Sequence, residues 1–452
     1  MTKTINMTKG HPMKLLVAFA LPIMFGNIFQ QLYTVVDTAI VGRGVGLEAL
    51  AALGTVDWLN WMMLGIAQGF SQGFSVRISQ KFGEGDKSGL KTTIGQSAVL
   101  SIFIAIAGVF IGQLGLSIFL TLLRVPENLS GMATLYTRIL FAGFPAVMFF
   151  NYCSSVLRAV GDSKTPLKAM VLASITNIVL DMIAVFLLGW GIAGAAAATV
   201  FSQCLSGAFC AIRIGKTKEL HFNMENIRRV PEIRQDLIRI GTPVALKNII
   251  IALGGMTVQT IVNGFDMSFI AGFTATNKLY GLLEIAAISY GYSVTTYVGQ
   301  NYGANRLDRI KKGMNAAVIL SVATSILIAV LMFAFGRQIT MLFISSDNHE
   351  LLTVAGNTAY SYLCIMSLFL PVLYLLYVYL CALQGLGDTV IPMISGILEF
   401  VIRVGIALCV GFTGYQYGIF GAEVAAWTGS AIFLMVSYYR RMKKEAIVVS
   451  KR

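Results

Sequence analysis

A chain of 452 residues that is 56% hydrophobic and only 12% charged, with a mean hydropathy of +0.75, has more apolar surface than a globular core can cover. Soluble domains carry about a quarter charged residues, so lipid is the expected solvent. The net charge of +13 does not point to nucleic acid, because Lys and Arg fall between long apolar runs and form no basic face. The cysteines (Cys153, Cys204, Cys210, Cys364, Cys381, Cys409) lie in apolar segments without CxxC spacing and read as small lipophilic fillers. No HExxH, GxSxG or paired catalytic aspartate motif is present, so neither an enzyme nor an organic cofactor is expected.

The opening MTKTINMTKGHPMK runs into an apolar stretch too long for a signal-peptide h-region, which predicts an uncleaved first helix. A hydrocarbon core of about 30 Å needs roughly 20 apolar residues per helix. Twelve spans meet that need, near 14–41, 50–76, 92–120, 130–157, 167–188, 191–213, 238–263, 269–298, 314–343, 355–384, 390–411 and 417–439. Span one holds Pro22 and Asp37; span five holds Asn177 and Asp181, four apart and therefore on one helical face. Arg138 and Lys247 lie in spans four and seven, Glu284 in span eight, and Glu399 with Arg403, again four apart, in span eleven. Asp266 falls at an outer interface, where solvation suffices to explain it.

Loop charge orients the chain, since Lys and Arg stay on the cytoplasmic side. One set of loops carries Lys3, Lys9 and Lys14, then Arg77, Lys81, Lys87 and Lys91, then Arg158, Lys164 and Lys168, and the stretch from Arg213 to Arg239. It continues with Arg306, Arg309, Lys311 and Lys312, and ends with Arg440, Arg441, Lys443, Lys444, Lys451 and Arg452. The opposite set has little beyond Arg43, Arg124, Arg337 and Lys278. Both termini are therefore expected in the cytoplasm, with 213–239 as a basic amphipathic helix on the inner membrane surface.

The sequence also repeats itself. Ala20–Asn27 (ALPIMFGN) returns as Gly241–Asn248 (GTPVALKN), Lys81-Phe-Gly83 as Asn301-Tyr-Gly303, and the loop Arg158–Pro166 as Gln384–Pro392, which aligns Gly161, Asp162 and Pro166 with Gly387, Asp388 and Pro392. Each half has six spans, so both enter the membrane the same way round, related by an axis along the membrane normal. Such a duplication suits a transporter whose halves rock about a central site better than a channel, and no filter-like loop is visible.

An ionisable group at bilayer depth costs about 2.5 to 3.5 kcal/mol and so needs a partner, water or a function. Asp37 and Asp181 with Asn177 form an oxygen-rich set able to hold a proton or a hard cation such as Na+; hydrogen bonding to a neighbouring helix is the plainer alternative. Glu399 and Arg403 are spaced for an internal ion pair. Glu284 has no partner nearby in sequence and is the better candidate for contact with a cation or substrate. Pro22 could simply bend its helix for packing.

Pro22 with Asp37, the Gly-Asp-Ser-Lys-Thr-Pro and Gly-Asp-Thr-Val-Ile-Pro loops, Val298–Ala304 (VGQNYGA) and Asn177 with Asp181 together resemble the multidrug and toxic compound extrusion (MATE) family over essentially the whole chain. The resemblance implies an all-α integral membrane protein with twelve transmembrane helices in two six-helix lobes, V-shaped and pseudo-twofold about the membrane normal. The lobes would be 1–213 and 238–440, with a cytoplasmic linker at 214–237 and a tail at 441–452. It implies a monomeric antiporter of a prokaryotic cell membrane that exports organic, often cationic and amphiphilic compounds in exchange for H+ or Na+. It also carries a first-lobe cation site onto Asp37, Asn177, Asp181 and Thr199, with Pro22 as the kink that responds to occupancy, and leaves Glu284, Glu399 and Arg403 as second-lobe candidates for substrate. The competing reading is a lipid-linked precursor flippase, which would call for further spans and an arginine-rich cavity.

Overall fold

The computed structural model describes residues 4–123, 125–343 and 349–450. Lys3, Arg124, Lys451 and Arg452, used in the loop-charge count, lie outside them. The described chain is helical throughout. Its elements are α1 (Pro12–Gly44), α2 (Leu47–Glu84), α3 (Lys87–Leu122), α4 (Glu127–Ala142), α5 (Phe144–Ala159), α6 (Lys164–Met182), α7 (Gly191–Lys216), α8 (Met224–Ile227) and α9 (Pro231–Val262). There follow α10 (Met267–Leu283), α11 (Ile285–Gly303), α12 (Leu307–Met341), α13 (His349–Leu368), α14 (Leu370–Gly385), α15 (Val390–Thr413) and α16 (Phe420–Ser450). At 1.5 Å per residue, the 33 residues of α1 and 38 of α2 reach well past a 30 Å hydrocarbon layer.

Among the described residues, ten helices are long and apolar enough to cross a bilayer, and the pair α4 and α5, bent by 44°, makes an eleventh. The expected span 269–298 is built from α10 and α11, which meet at Glu284. It is less apolar because α11 buries Ser289, Ser293, Thr295, Thr296, Gln300 and Asn301 inside the protein. Buried polar groups there bond to protein: Ser293 donates to the Leu16 carbonyl at 3.0 Å and Asn301 to the Tyr297 carbonyl at 2.8 Å.

Spans four and ten break alike. A proline stands in the first turn of α5 (Pro145) and of α14 (Pro371), where its missing N–H costs no helical bond. The two Gly-Asp loops also fold alike. Gly161 (φ 90°) and Gly387 (φ 86°) both take the left-handed conformation that glycine tolerates best. Asp162 N–H then donates to Leu157 O at 2.9 Å and Asp388 N–H to Leu383 O at 3.0 Å. The carboxylates in turn accept from Thr165 N at 3.0 Å and Ile391 N at 3.2 Å, so each aspartate caps the helix that follows.

The chain divides into two compact units. The first holds the described residues up to Lys9, then Leu21–Ile249 and Gly303–Asn305; the second holds Gly10–Ala20, Ile250–Tyr302 and the described residues from Arg306 on. Helix α1 is thus shared, with its division between Ala20 and Leu21, one residue before Pro22, and α9 is shared likewise beyond Pro243. In the first unit, α2 meets the early part of α9 through Gly65, Gly69 and Gly73, spaced one turn apart. A Cβ at Gly69 would sit 2.5 Å from Ala245 Cα, and one at Gly73 2.4 Å from Gly241 Cα, so only glycine permits this backbone approach. In the second unit, Phe269, Phe273, Tyr362 and Phe420 stack, with Tyr362 at 4.9 Å from Phe273 and 4.6 Å from Phe420.

The stretch 213–239 is not the surface helix that its amphipathic pattern predicts. It ends α7, turns, forms the four-residue α8 and starts α9 at Pro231. Side chains of α3 replace helical bonding. Gln96 Nε2 donates to the carbonyls of Asn226 (2.8 Å) and Arg228 (2.6 Å), while its Oε1 accepts from Arg234 at 2.6 Å. Arg77 further binds Asp236 at 2.5 Å.

Candidate functional site

Three helices of the first unit each present a polar pair one turn apart: Tyr33 and Asp37 on α1, Asn177 and Asp181 on α6, Thr199 and Gln203 on α7. The structure brings them together. The carboxyls of Asp37 and Asp181 lie within hydrogen-bonding reach of one another, although 144 positions apart in sequence. Asn177 Nδ2 donates to Thr199 Oγ1 at 3.4 Å, and Tyr33 reaches Gln203 and Gln30. Asp37 is 9% exposed, Asn177 1% and Asp181 0%.

Among the described residues, no N–H or O–H donor reaches Asp37 Oδ1, either Asp181 oxygen, Asn177 Oδ1 or Gln203 Oε1. Ionised carboxylates only accept hydrogen bonds, so two of them cannot satisfy each other. Five acceptor oxygens without donors on three facing helices form a donor set for a proton or a hard cation. Directly after Asp181 the helix loosens into a π-helical turn, Ile183–Leu187. Gly44 at the end of α1 lies against it, where a Cβ would meet Val185 at 2.4 Å.

All four sequence-predicted first-lobe residues thus converge. Pro22 lies inside α1 beside the division between units, 15 positions before Asp37. Tyr33 and Gln203 were missed because they carry no charge. Their signal was the spacing, since each stands four residues from a residue already marked.

The second unit places its candidates differently. Glu284 caps the end of α10 at the break in span eight, and Tyr377 donates to its Oε2 at 3.3 Å. Arg403 Nη2 binds Glu423 Oε2 of α16 across helices at 2.7 Å, in addition to its expected neighbour Glu399 on α15. Glu399 remains close enough to add to the negative field around Arg403. Of the remaining basic candidates, Arg138 is exposed. Lys247, in the first-unit part of α9, is only 7% exposed and makes no hydrogen bond or ion pair with the described residues.

The MatE family model matches the chain twice, over residues 22–183 and 243–409, and so starts at Pro22 and again at Pro243. The chain belongs to the MatE family. This MatE chain is 30% identical to the probable multidrug resistance protein YpnP of Bacillus subtilis over 352 residues, covering 76% of this chain and 78% of that one. It is 26% identical to an FAD transporter of Shewanella oneidensis over 339 residues, covering 73% and 74%. Among solved structures, a MOP superfamily transporter from Pyrococcus furiosus superposes with a TM-score of 0.91 at 24% identity, covering 99% of each chain. The fold is therefore that of the MATE transporters: an all-α, multi-pass membrane protein with its helices in two lobes. Its relatives are transporters, not enzymes.

Proposed function

We propose that this MatE chain is a secondary antiporter that exports organic, often cationic and amphiphilic compounds in exchange for H+ or Na+ by alternating access. The observation that carries this reading is the facing pair Asp37 and Asp181, buried, acceptor-only and without donors on three of four oxygens. Coupling requires a group whose affinity for the ion differs between two states of the protein. The carboxyl pair is such a group, because the cost of its bare charge depends on how closely α1 holds Asp37 against α6. Asn177 and Thr199 complete the oxygen set, and Pro22 places a weakened helical bond on α1. Both termini and 214–237 are cytoplasmic in this reading, from the charge of the loops; the lobes run over 1–213 and 238–440, the tail is 441–452, and the chain works as a monomer.

On the substrate side, Glu284 with Tyr377 offers a negative charge beside an aromatic ring to a flat cation. Lys247 supports a second reading, in which the cargo carries an acidic group as well: the residue is 7% exposed and makes no ion pair with the described residues, so its charge is free to meet an anion. The flippase reading draws less support, since Arg403 is already bound to Glu423 and Arg138 is exposed.

The test is transport of an ethidium-like cation into inverted vesicles, under an imposed proton gradient and separately under a sodium gradient. One of the two gradients should drive accumulation in the wild type and fail to do so in Asp181→Asn. Equal accumulation in both proteins would refute the coupling role.

A further inference from the structure

On the surface of the second unit, α14 and α16 diverge around an apolar groove of about 140 Å³. Val372, Leu375 and Tyr379 line one wall; Thr428, Ile432 and Met435 line the other. Tyr379 closes one end, its hydroxyl 3.2 Å from that of Tyr439, and Tyr439 is itself exposed. At 100° per residue, Thr428, Ile432, Met435, Tyr439 and Lys443 fall within an arc of about 80° on α16, so one stripe runs from groove to tyrosine hydroxyl to ammonium. Lys443 is exposed and has no ion-pair partner among the described residues, while its neighbour Arg441 binds Glu445 at 2.8 Å. Tyr302 donates to the same Glu445 at 3.3 Å, which fixes the end of α16 against α11.

We propose that this stripe is a binding site for an anionic phospholipid, with an acyl chain in the groove, the ester region at the Tyr379 and Tyr439 hydroxyls and the phosphate on Lys443. The dimensions agree. Met435 and Lys443 are separated by a rise of about 12 Å, the scale of the step from hydrocarbon to headgroup. Tyrosine prefers that level, where its ring is apolar and its hydroxyl wet, and a lysine stem reaches from it toward phosphate. The charge selects the occupant: a zwitterionic lipid would fill the groove equally well but would bring its own cation to a site that already has one. Lys444, one residue on, points about 160° away from Thr428 and serves as an internal control.

The full chain, purified in detergent, is titrated with phosphatidylglycerol and with phosphatidylcholine of the same acyl chains, and bound lipids are counted by native mass spectrometry. The wild type should retain phosphatidylglycerol preferentially. Lys443→Gln should weaken it about fivefold, the worth of one basic side chain at a membrane surface, and leave phosphatidylcholine unchanged. Lys444→Gln should change neither. Ile432→Trp, at an exposed groove wall, should weaken both. Equal losses from Lys443→Gln and Lys444→Gln would reduce the effect to diffuse surface charge and overturn the site. So would equal retention of the two lipids by the wild type, or a folded Ile432→Trp with full retention. The Lys443 and Lys444 arms rest on exposed side chains and stand even if Ile432→Trp fails to fold.

Discussion

Counted at the repeat offsets, the second-half counterparts of Asp37 and Asp181 are Val258 and Ala407, both buried and apolar, and the counterpart of Asn177 is Arg403. The first unit gathers acidic and amide oxygens with no cation beside them among the described residues; the second buries a cation with its anion, Arg403 on Glu423 at 2.7 Å, and Glu399 one turn away. Identical backbone devices, the Gly-Asp caps and the broken spans at Pro145 and Pro371, carry opposite chemistry. An arrangement that already holds its counter-charge needs no ion, whereas acidic oxygens with no cation beside them invite one. The Gly-Asp caps and the broken spans thus recur in both units, while the buried charges differ.

The largest predicted effect breaks the satisfied side. Arg403→Leu leaves Glu423 and Glu399 facing an uncompensated interior, and removal of one partner from a buried pair costs about 3 to 5 kcal/mol. Thermal unfolding in detergent should show a clear loss, and Arg403→Leu with Glu423→Gln should restore part of it. A single variant as stable as the wild type would show that the pair is not what holds α15 to α16.

Next come the shared caps. Asp162→Ala and Asp388→Ala each remove a helix cap worth about 1 kcal/mol. Asp162 should cost more, because it also accepts from Thr165 Oγ1 at 2.7 Å and lies 3.5 Å from Arg213. The ratio of the two losses in matched unfolding curves measures how far the repeats have diverged in stability.

Smaller still, and of opposite sign to Arg403→Leu, Asp181→Asn should leave the melting temperature unchanged or raise it. The amide supplies a donor to oxygens that have none, a gain of about 1 kcal/mol at most. A marked destabilisation would mean that the carboxylate is structurally bound after all.

The smallest effect concerns Asp86, the exposed N-cap of α3, whose carboxyl is held below the usual carboxylate range by the Gly89 N–H at 2.8 Å. A lowered folded-state pKa gives a contribution that is present above about pH 4 and lost as pH falls through the folded value. Asp86→Asn should remove that acid dependence and little else, as hydrogen exchange at the start of α3 would register.

Much of this was legible in the sequence because lipid imposes a strict rule: apolar length gives spans, and any charge inside them needs a reason. That rule singled out Asp37 and Asp181, with Asn177 marked by its place one turn before Asp181, and the two family matches begin at the repeated prolines Pro22 and Pro243. It was silent on neutral groups, so Tyr33 and Gln203 escaped notice. Glu423 was hidden because its tie to Arg403 crosses from one helix to the next, and a sequence-local partner, Glu399, was nearer to hand. The breaks in spans four and ten were signalled by Pro145 and Pro371 but masked by the continuous apolar runs around them. The stretch 213–239 misled because its apolar residues Leu220 and Leu237 pack into the protein's own core and its turns are held by Gln96 and Arg77.

The central claim is that the unsatisfied carboxyls of the first unit tie ion to substrate. Its most direct test is the affinity of the purified protein for a fluorescent cationic substrate, measured across pH and Na+ concentration in the wild type, Asp181→Asn and Glu284→Gln. The wild type should lose substrate affinity as the coupling ion is added. Asp181→Asn should bind substrate with an affinity that no longer responds to either ion, and Glu284→Gln should bind more weakly yet keep the response. An Asp181→Asn protein whose affinity still follows pH or Na+ as the wild type does would contradict the account and move the coupling site to the second unit.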